Sequence, residues 1–412
     1  MIVFGKILSF VRVMVLSAWM LVLTPSQQRV SAAEPGTKPL KVFILAGQSN
    51  MQGHAQVRTM DAMRLNPKGA ALLTEMHHPD GTPRVCQDVG ISSIGSAHQE
   101  QTGRLTVGFG ASANGPKIGP EFTFGIWMQK WLDEPVLIIK TAWGGKSLHT
   151  DFRPPSAKPY EFTSTQIETF RKQNKDVEQI KADKIEATGK NYRQMVDHVK
   201  HVLSDIKRVY PDYSVGQGFE LAGFVWFQGW NDMVDRGTYP DRDQPGGFDQ
   251  YSELLTQFIR DVRRDLSAPE MPFVIGVMGV GGPTQDYGPD QQRHKATHQH
   301  FRDAMAAPAE LPEFSDNVVT VLTEVYWDKE VAELRRRENA IKPMIDMIKQ
   351  SMKRSEISRS EGQEKIDRLY NETFSPRERE LLQKSTSNFD FHYMGSAGIM
   401  AQIGKAFAEA LQ

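Results

Sequence analysis

Five short apolar runs recur along the chain. They are LKVFILAG (40–47), PVLIIKTAW (135–143), LAGFVWFQG (221–229), PFVIGVMGV (272–280) and NVVTVLTEVY (317–326). Runs this short and this apolar predict strands buried on both faces, as in a parallel sheet. Between them the apolar spacing turns helical, over 121–132, 192–209, 248–266 and 291–306, with a last helix over 396–411. Strands alternating with helices predict a three-layer α/β/α sandwich around a mainly parallel five-stranded sheet. Ligands of such sheets bind beyond the carboxyl ends of the strands, so those positions are the ones to search.

Two stretches break the alternation. Residues 54–118 are rich in Gly, Pro and Ser without a clear period, and read as an insertion of long loops. Residues 328–386 are highly charged, with Leu334, Ile341, Ile345, Ile348 and Met352 at helical spacing. They predict a helical hairpin packed on the domain, or a lid or oligomer contact. Within it, Glu333 and Arg337 form an i,i+4 pair, and SPRE (375–378) is a capping box with Pro376 at the first helical position.

The amino terminus has a different character. Lys6 and Arg12 precede an apolar stretch, VMVLSAWMLVLT, and VSAAE then supplies small residues. The run falls short of the roughly 20 residues a spanning helix needs, so residues 1–33 read as a secretory signal cleaved after Ala33. The expected mature chain, 34–412, is then one domain carrying the two insertions, secreted or periplasmic, with no stable membrane insertion.

Composition narrows the function classes. The 412-residue chain is 39% hydrophobic and 24% charged. Without the signal's three basic residues it holds 46 basic and 50 acidic residues, a net charge of −4. No basic excess points to nucleic acid. Cys86 is the single cysteine, so no internal disulfide forms. His54, His77 and His78 lack the partners of a metal site, and His294 and His298 share a helix face without an HExxH pattern. No metal or organic cofactor is expected.

Chemistry-bearing residues follow the predicted strands in order. GQSNM (47–51) puts Ser49 just after the first run, on a turn that offers its hydroxyl to the crevice or caps a helix. After the second run, Gly144 and Gly145 allow backbone N–H groups to approach a ligand. After the third, GWND (229–232) presents Asn231, as an amide donor or in an Asx-turn. NFDFHYMGSAG (388–398) brings His392 and Asp390 just before the last helix.

Together these stretches resemble the SGNH hydrolase superfamily, whose sheet is flavodoxin-like, and within it the sialate O-acetylesterase-like group that includes carbohydrate esterase family six. FILAGQSNMQGHA, GPEFTFG, IIKTAWGGKSLHTDFRPP, FVWFQGWNDM and FHYMGSAGIMAQIGKAFAEAL carry the resemblance across most of the chain outside the insertions. It implies Ser49 as nucleophile and His392 as general base. The Ser49 N–H, Gly144 or Gly145, and Asn231 would form the oxyanion hole. Gln228 is the alternative amide donor, because Trp230 stands where the group usually has Glu. The superfamily's acid lies three residues before the histidine. That position is Phe389 here, so Asp390, two before, becomes the candidate. Gln48, Gln228, Glu121 and Arg153 are candidate substrate contacts. Glu121 alternatively holds the Ser49 loop or favours a helix dipole, and Arg153 alternatively makes a structural ion pair. Trp143, Trp230 and Tyr393 either stack on sugar or fill the core.

The function implied is removal of O-acetyl groups from a carbohydrate, sialic acid or polysaccharide, through an acyl-serine. Two alternatives stay open: a carbohydrate-binding protein on an inactive scaffold of this kind, and a serine hydrolase of different acyl specificity.

Overall fold

A computed structural model describes residues 38–412. The expected signal and its cleavage site lie outside the described residues. Among the described residues there are nine strands: β1 (Leu40–Gly47), β2 (Ala55–Gln56), β3 (Cys86–Gly95), β4 (Gln101–Leu105), β5 (Lys117–Ile118), β6 (Val136–Ala142), β7 (Phe219–Phe227), β8 (Phe273–Val277) and β9 (Val318–Leu322). Seven of them form one sheet in the order β4-β3-β6-β1-β7-β8-β9. Every pairing in it is parallel except β3 with β4. The fold is α/β with a mainly parallel central sheet.

The five expected strands are all there, as β1, β6, β7, β8 and β9. The sheet is wider than expected because 54–118 is not loop. It contributes β3 and β4 to the sheet, a β2–β5 ribbon, a 3₁₀ segment (Val57–Leu65) and a helix (Pro67–Met76). β3 escaped the apolar pattern because it buries Ser92, whose hydroxyl donates to Glu100 and meets His198 Nε2 at 2.9 Å. A satisfied buried serine looks like a loop residue in sequence.

Successive side chains of β7 feed opposite layers. Phe224 and Trp226 meet Phe258 of helix Asp249–Asp265. Phe227 meets Phe407 of helix Ala397–Glu409. On that second face Phe43 of β1 packs edge-on against Phe124 of helix Glu121–Trp131. β1 lies between β6 and β7, with the next parallel strand in chain order, β3, on one side and β7, β8 and β9 on the other. The chain changes direction across the sheet there, and a crevice opens at the carboxyl ends of β1 and β7.

The charged insertion forms three helices, Lys329–Lys353, Arg359–Thr373 and Pro376–Ser385, rather than a hairpin. The Ser375–Glu378 capping box is present. Glu333 does not pair with Arg337; it takes Arg336, three residues on, while Arg337 reaches Glu378 across the insertion. Among the described residues no helix is long and apolar enough to cross a membrane.

Candidate active site

β1 ends at Gly47 because nothing larger fits. A Cβ there would lie 2.1 Å from the Phe227 carbonyl oxygen on β7. The chain then turns into a one-turn helix, Ser49–Gln52, with Ser49 buried at its first position. The turn is tied down from three sides. Asn50 Nδ2 donates to the Phe391 carbonyl at 3.2 Å. Gln48 N–H donates to the Phe227 carbonyl at 3.2 Å. Lys140 Nζ donates to the Gln52 carbonyl at 2.8 Å. Lys140 is wholly buried inside β6, where burial pulls its pKa down against the opposing pull of the Glu121 carboxylate.

A cavity of about 530 Å³ opens above the turn, lined by Ser49, His54, Gly144, Gly145, Asn231 and His392 among others. Among the described residues no hydrogen bond joins Ser49 Oγ to either imidazole; such contacts commonly tighten only in the substrate complex. Gly144 lies beside the serine turn: a Cβ on it would be in ordinary contact with Ser49 Cβ, at 3.9 Å. Its N–H donates to Ser96 Oγ at 3.0 Å, and Ser96 Oγ in turn donates to Gln52 Oε1 at 3.3 Å. The Ser49 and Gly145 N–H groups have no protein acceptor among the described residues. Gly145 takes a left-handed φ of 74°, in open space.

Beneath the cavity lies a buried amide network. Gln48 Oε1 accepts from Gly229 N–H at 2.9 Å and from Gln228 Nε2 at 3.2 Å. Gln48 Nε2 donates to Asn231 Oδ1 at 3.0 Å. Gln228 Nε2 also reaches Asp232 Oδ2 at 2.6 Å, and its Oε1 accepts from Tyr251. Asp232 is wholly buried, and burial raises its pKa. It accepts the Leu148 and His149 N–H groups at 2.8 and 3.0 Å, which locks the loop after Gly145 onto the end of β7.

His392 sits on a 3₁₀ segment, Asp390–Gly395, in which Tyr393 and Met394 adopt left-handed φ of 50° and 60°. That strained geometry is held by the buried Tyr393 hydroxyl, which accepts from Gly279 N–H at 2.8 Å and lies 2.6 Å from Thr323 Oγ1. His392 Nδ1 is 3.0 Å from Asn388 Oδ1. The same oxygen accepts from Phe389 N–H at 2.8 Å, which fixes which end of the amide faces the ring. Across its face His392 stacks on His54, with ring centroids 4.0 Å apart and planes 7° apart. Burial takes His392 down to about 4. Burial, then the charge of His392 and those of Lys117 and Lys140, take His54 down to about 3.

Several expected roles change. Asp390 pairs elsewhere: its half-exposed carboxylate lies 2.8 Å from Arg335 Nε, an ionic contact to the helical insertion, while His392 Nδ1 meets Asn388. Gln48 and Gln228 lie beneath the cavity, their amides engaged with protein. Glu121 is wholly buried, 2.7 Å from Lys140 Nζ and accepting from Gly119 N–H, so of its two alternatives it supports the Ser49 turn. Arg153 is buried and donates to the carbonyls of His149 and Lys158. Trp143 and Tyr393 are core residues, while Trp230 lines the cavity against Phe391. Sequence reasoning passed over Asn388 and Ser96, and weighed His54 only as a metal ligand. The one signal was position: His54 follows the serine motif directly in GQSNMQGH.

The fold is α/β, with a cavity at its switch point where proteins of this class bind ligands. The model of a family described as carbohydrate esterase, sialic acid-specific acetylesterase matches residues 39–318. The chain belongs to that family, and is a carbohydrate O-acetylesterase, a carboxylic ester hydrolase. No curated protein matches the chain. Among solved structures, an Arabidopsis thaliana protein is 15% identical, covers 69% of this chain and 86% of its own, and has a TM-score of 0.38. A carbohydrate acetylesterase from Xanthomonas citri, XAC1771, is 12% identical over 68% of this chain and 49% of its own, at 0.35. NanS is 11% identical over 69% and 78%, at 0.37.

Proposed function

We propose that the protein is a secreted serine esterase that removes acetyl groups from a neutral carbohydrate. The observation that carries this reading is the shared cavity: Ser49, His392 and Asn231 line one space at the ends of β1 and β7. His392 takes the Ser49 proton as Oγ attacks the acetyl carbonyl carbon. The oxyanion forms against the Ser49 and Gly145 N–H groups and Asn231 Nδ2. Gln48 holds Asn231 Oδ1, which leaves that Nδ2 as the donor facing the cavity. As the tetrahedral intermediate collapses, the C–O bond to the sugar breaks and His392 returns the proton to the sugar oxygen. Water then attacks the acetyl-serine carbonyl as His392 takes its proton; the bond to Ser49 Oγ breaks, His392 returns the proton to that oxygen, and acetate leaves.

The lining supports an uncharged sugar. It consists of hydroxyls, amides, aromatic rings, small residues and two imidazoles held neutral by burial. Nearby cations are engaged elsewhere: Lys117 with the Ala111 carbonyl, Lys146 with Asp151, Arg335 with Asp390. A sialate carboxylate desolvated here would lack a partner.

The test is acetate release by purified protein and its Ser49→Ala variant, on acetylated xylo-oligosaccharide, O-acetyl sialic acid and a chromogenic acetate. Ser49-dependent release is expected, with the neutral sugar preferred at least about tenfold. No Ser49-dependent turnover on any substrate favours a carbohydrate-binding role. A preference for sialate overturns the neutral-sugar reading and leaves the esterase standing.

A further inference from the structure

We propose that Asn388 and His54 are positioning residues that make His392 a general base without a charged partner. Asn388 sets its tautomer and His54 sets the plane of its ring. The inference rests on the esterase reading above.

The tautomer follows from atoms. An amide oxygen can only accept, so Asn388 Oδ1 at 3.0 Å places the hydrogen on His392 Nδ1 and leaves Nε2 with its lone pair. The oxygen cannot trade places with the amide nitrogen, because Phe389 N–H also donates to it. A carboxylate at this position would fix the same tautomer and also stabilise the imidazolium. An amide does only the first.

The plane follows from stacking. His54 lies parallel to His392 at 4.0 Å, and Phe391 meets the ring edge-on at 4.4 Å, so rotation of the imidazole is blocked by two aromatic neighbours. Protonating both histidines would put two positive charges at contact distance.

The charged groups around the pair reinforce this. Lys117, on β5, and Lys140, on β6, bear on His54. Lys140 is matched by Glu121, from the helix behind the sheet. On the segment of His392 itself, Asp390 is drawn to Arg335 of the helical insertion. The serine turn presents Ser49 and Asn50, and the end of β7 presents Trp230 and Asn231, all uncharged. No carboxylate faces the imidazole among the described residues, in keeping with a ring that stays neutral down to about 4. The consequence is a base that works in acid, where one paired with a carboxylate would already be protonated.

The test has two arms. In the first, the imidazole nitrogens of the Ser49→Ala protein are titrated by ¹⁵N NMR, which needs no activity and leaves both positioning residues in place. The expected result is a neutral Nδ1–H tautomer for His392 with a midpoint below about 5. An Nε2–H tautomer, or a midpoint near the usual 6.5, overturns the proposal. In the second, kcat/KM is followed against pH. Asn388→Asp should move the acidic limb up by at least about one unit, and Asn388→Ala should cut kcat about a hundredfold or more with KM little changed. His54→Ala should lower kcat at least about tenfold, and His54→Phe, which keeps a ring on the stack, should restore most of the loss. An unmoved limb in Asn388→Asp, or no rescue by phenylalanine, also overturns it. Absence of Ser49-dependent turnover in wild type counts against the esterase reading instead, and the NMR arm still decides the tautomer.

Discussion

Gln48 Nε2 donates to Asn231 Oδ1 across 3.0 Å, joining the residue between β1 and Ser49 to the residue that follows Trp230 after β7. One hydrogen bond therefore ties the Ser49 turn to the proposed oxyanion donor, and in the proposed mechanism decides which end of the Asn231 amide meets the substrate. Gln48 Oε1 also satisfies the buried Gly229 N–H.

Gln48→Met keeps the volume and removes the side-chain bonds to Asn231, Gly229 and Gln228. The Asn231 amide is then free to turn its oxygen into the cavity. We expect kcat to fall about tenfold to a hundredfold with KM little changed, approaching the roughly 10²–10³ typical of losing an oxyanion donor outright, as in Asn231→Ala. The unsatisfied Gly229 N–H should cost about 1–3 kcal/mol in urea unfolding. A variant with wild-type kcat would mean that Gln48 does not set the donor.

Asp390→Asn addresses the acid directly. The carboxylate is half exposed and its neighbour is Arg335, in a contact of the kind that contributes about 0–1 kcal/mol. Steady-state kinetics should show kcat/KM within about threefold of wild type. A loss of a hundredfold or more would return the acid's role to Asp390.

What the sequence disclosed and what it hid divide along physical lines. The five parallel strands were legible because burial on both faces leaves an apolar run, as in β6, where every residue is buried. The serine turn was legible because the close approach of β1 and β7 forces a glycine at position 47. β3 was hidden because its buried Ser92 finds polar partners. The group behind His392 was hidden for a different reason. Asp390 is nearer in sequence, but the left-handed backbone at Tyr393 and Met394 turns the segment so that Asn388 meets the ring. Side-chain direction in such a turn depends on tertiary contacts, here Tyr393 with the ends of β8 and β9. Gln48, Gln228 and Arg153 were read as substrate contacts because polar residues beside a motif resemble ligands until their buried partners are seen.

Lys140 and Glu121 form a pair sealed from solvent, 2.7 Å apart, beneath the serine turn. Lys140→Met should destabilise by about 3–5 kcal/mol, because it strands a buried carboxylate. Glu121→Gln in the same chain should recover a large part of that loss by removing the charge. Chemical denaturation of both proteins and wild type measures the difference. Equal stability of the single and double variants would show that the lysine contributes through its packing rather than its charge.

Acid sensitivity of the fold follows from four histidines. Burial lowers His54 and His298 to about 3 and His198 and His392 to about 4, in each case as the largest cause. The unfolded chain takes up these protons near pH 6.5, and the native protein does so only at its lowered values. Below about pH 6.5 the unfolded state therefore binds more protons, and stability falls as pH falls. The contribution is fully present above that value. Each histidine adds a slope of at most about 1.4 kcal/mol per pH unit, and less where solvent reaches the ring. Carboxylates held low act in the same direction, but only below their own unfolded range; Glu378, lowered from 4.5 to about 2 chiefly by its hydrogen bond from Arg337, is one. Between pH 6.5 and 5 the decline thus belongs mainly to histidine. Urea midpoints across that window should drop steadily with m unchanged, and a midpoint constant from pH 7 to 5 would show that these rings protonate in the native state as they do in the unfolded chain.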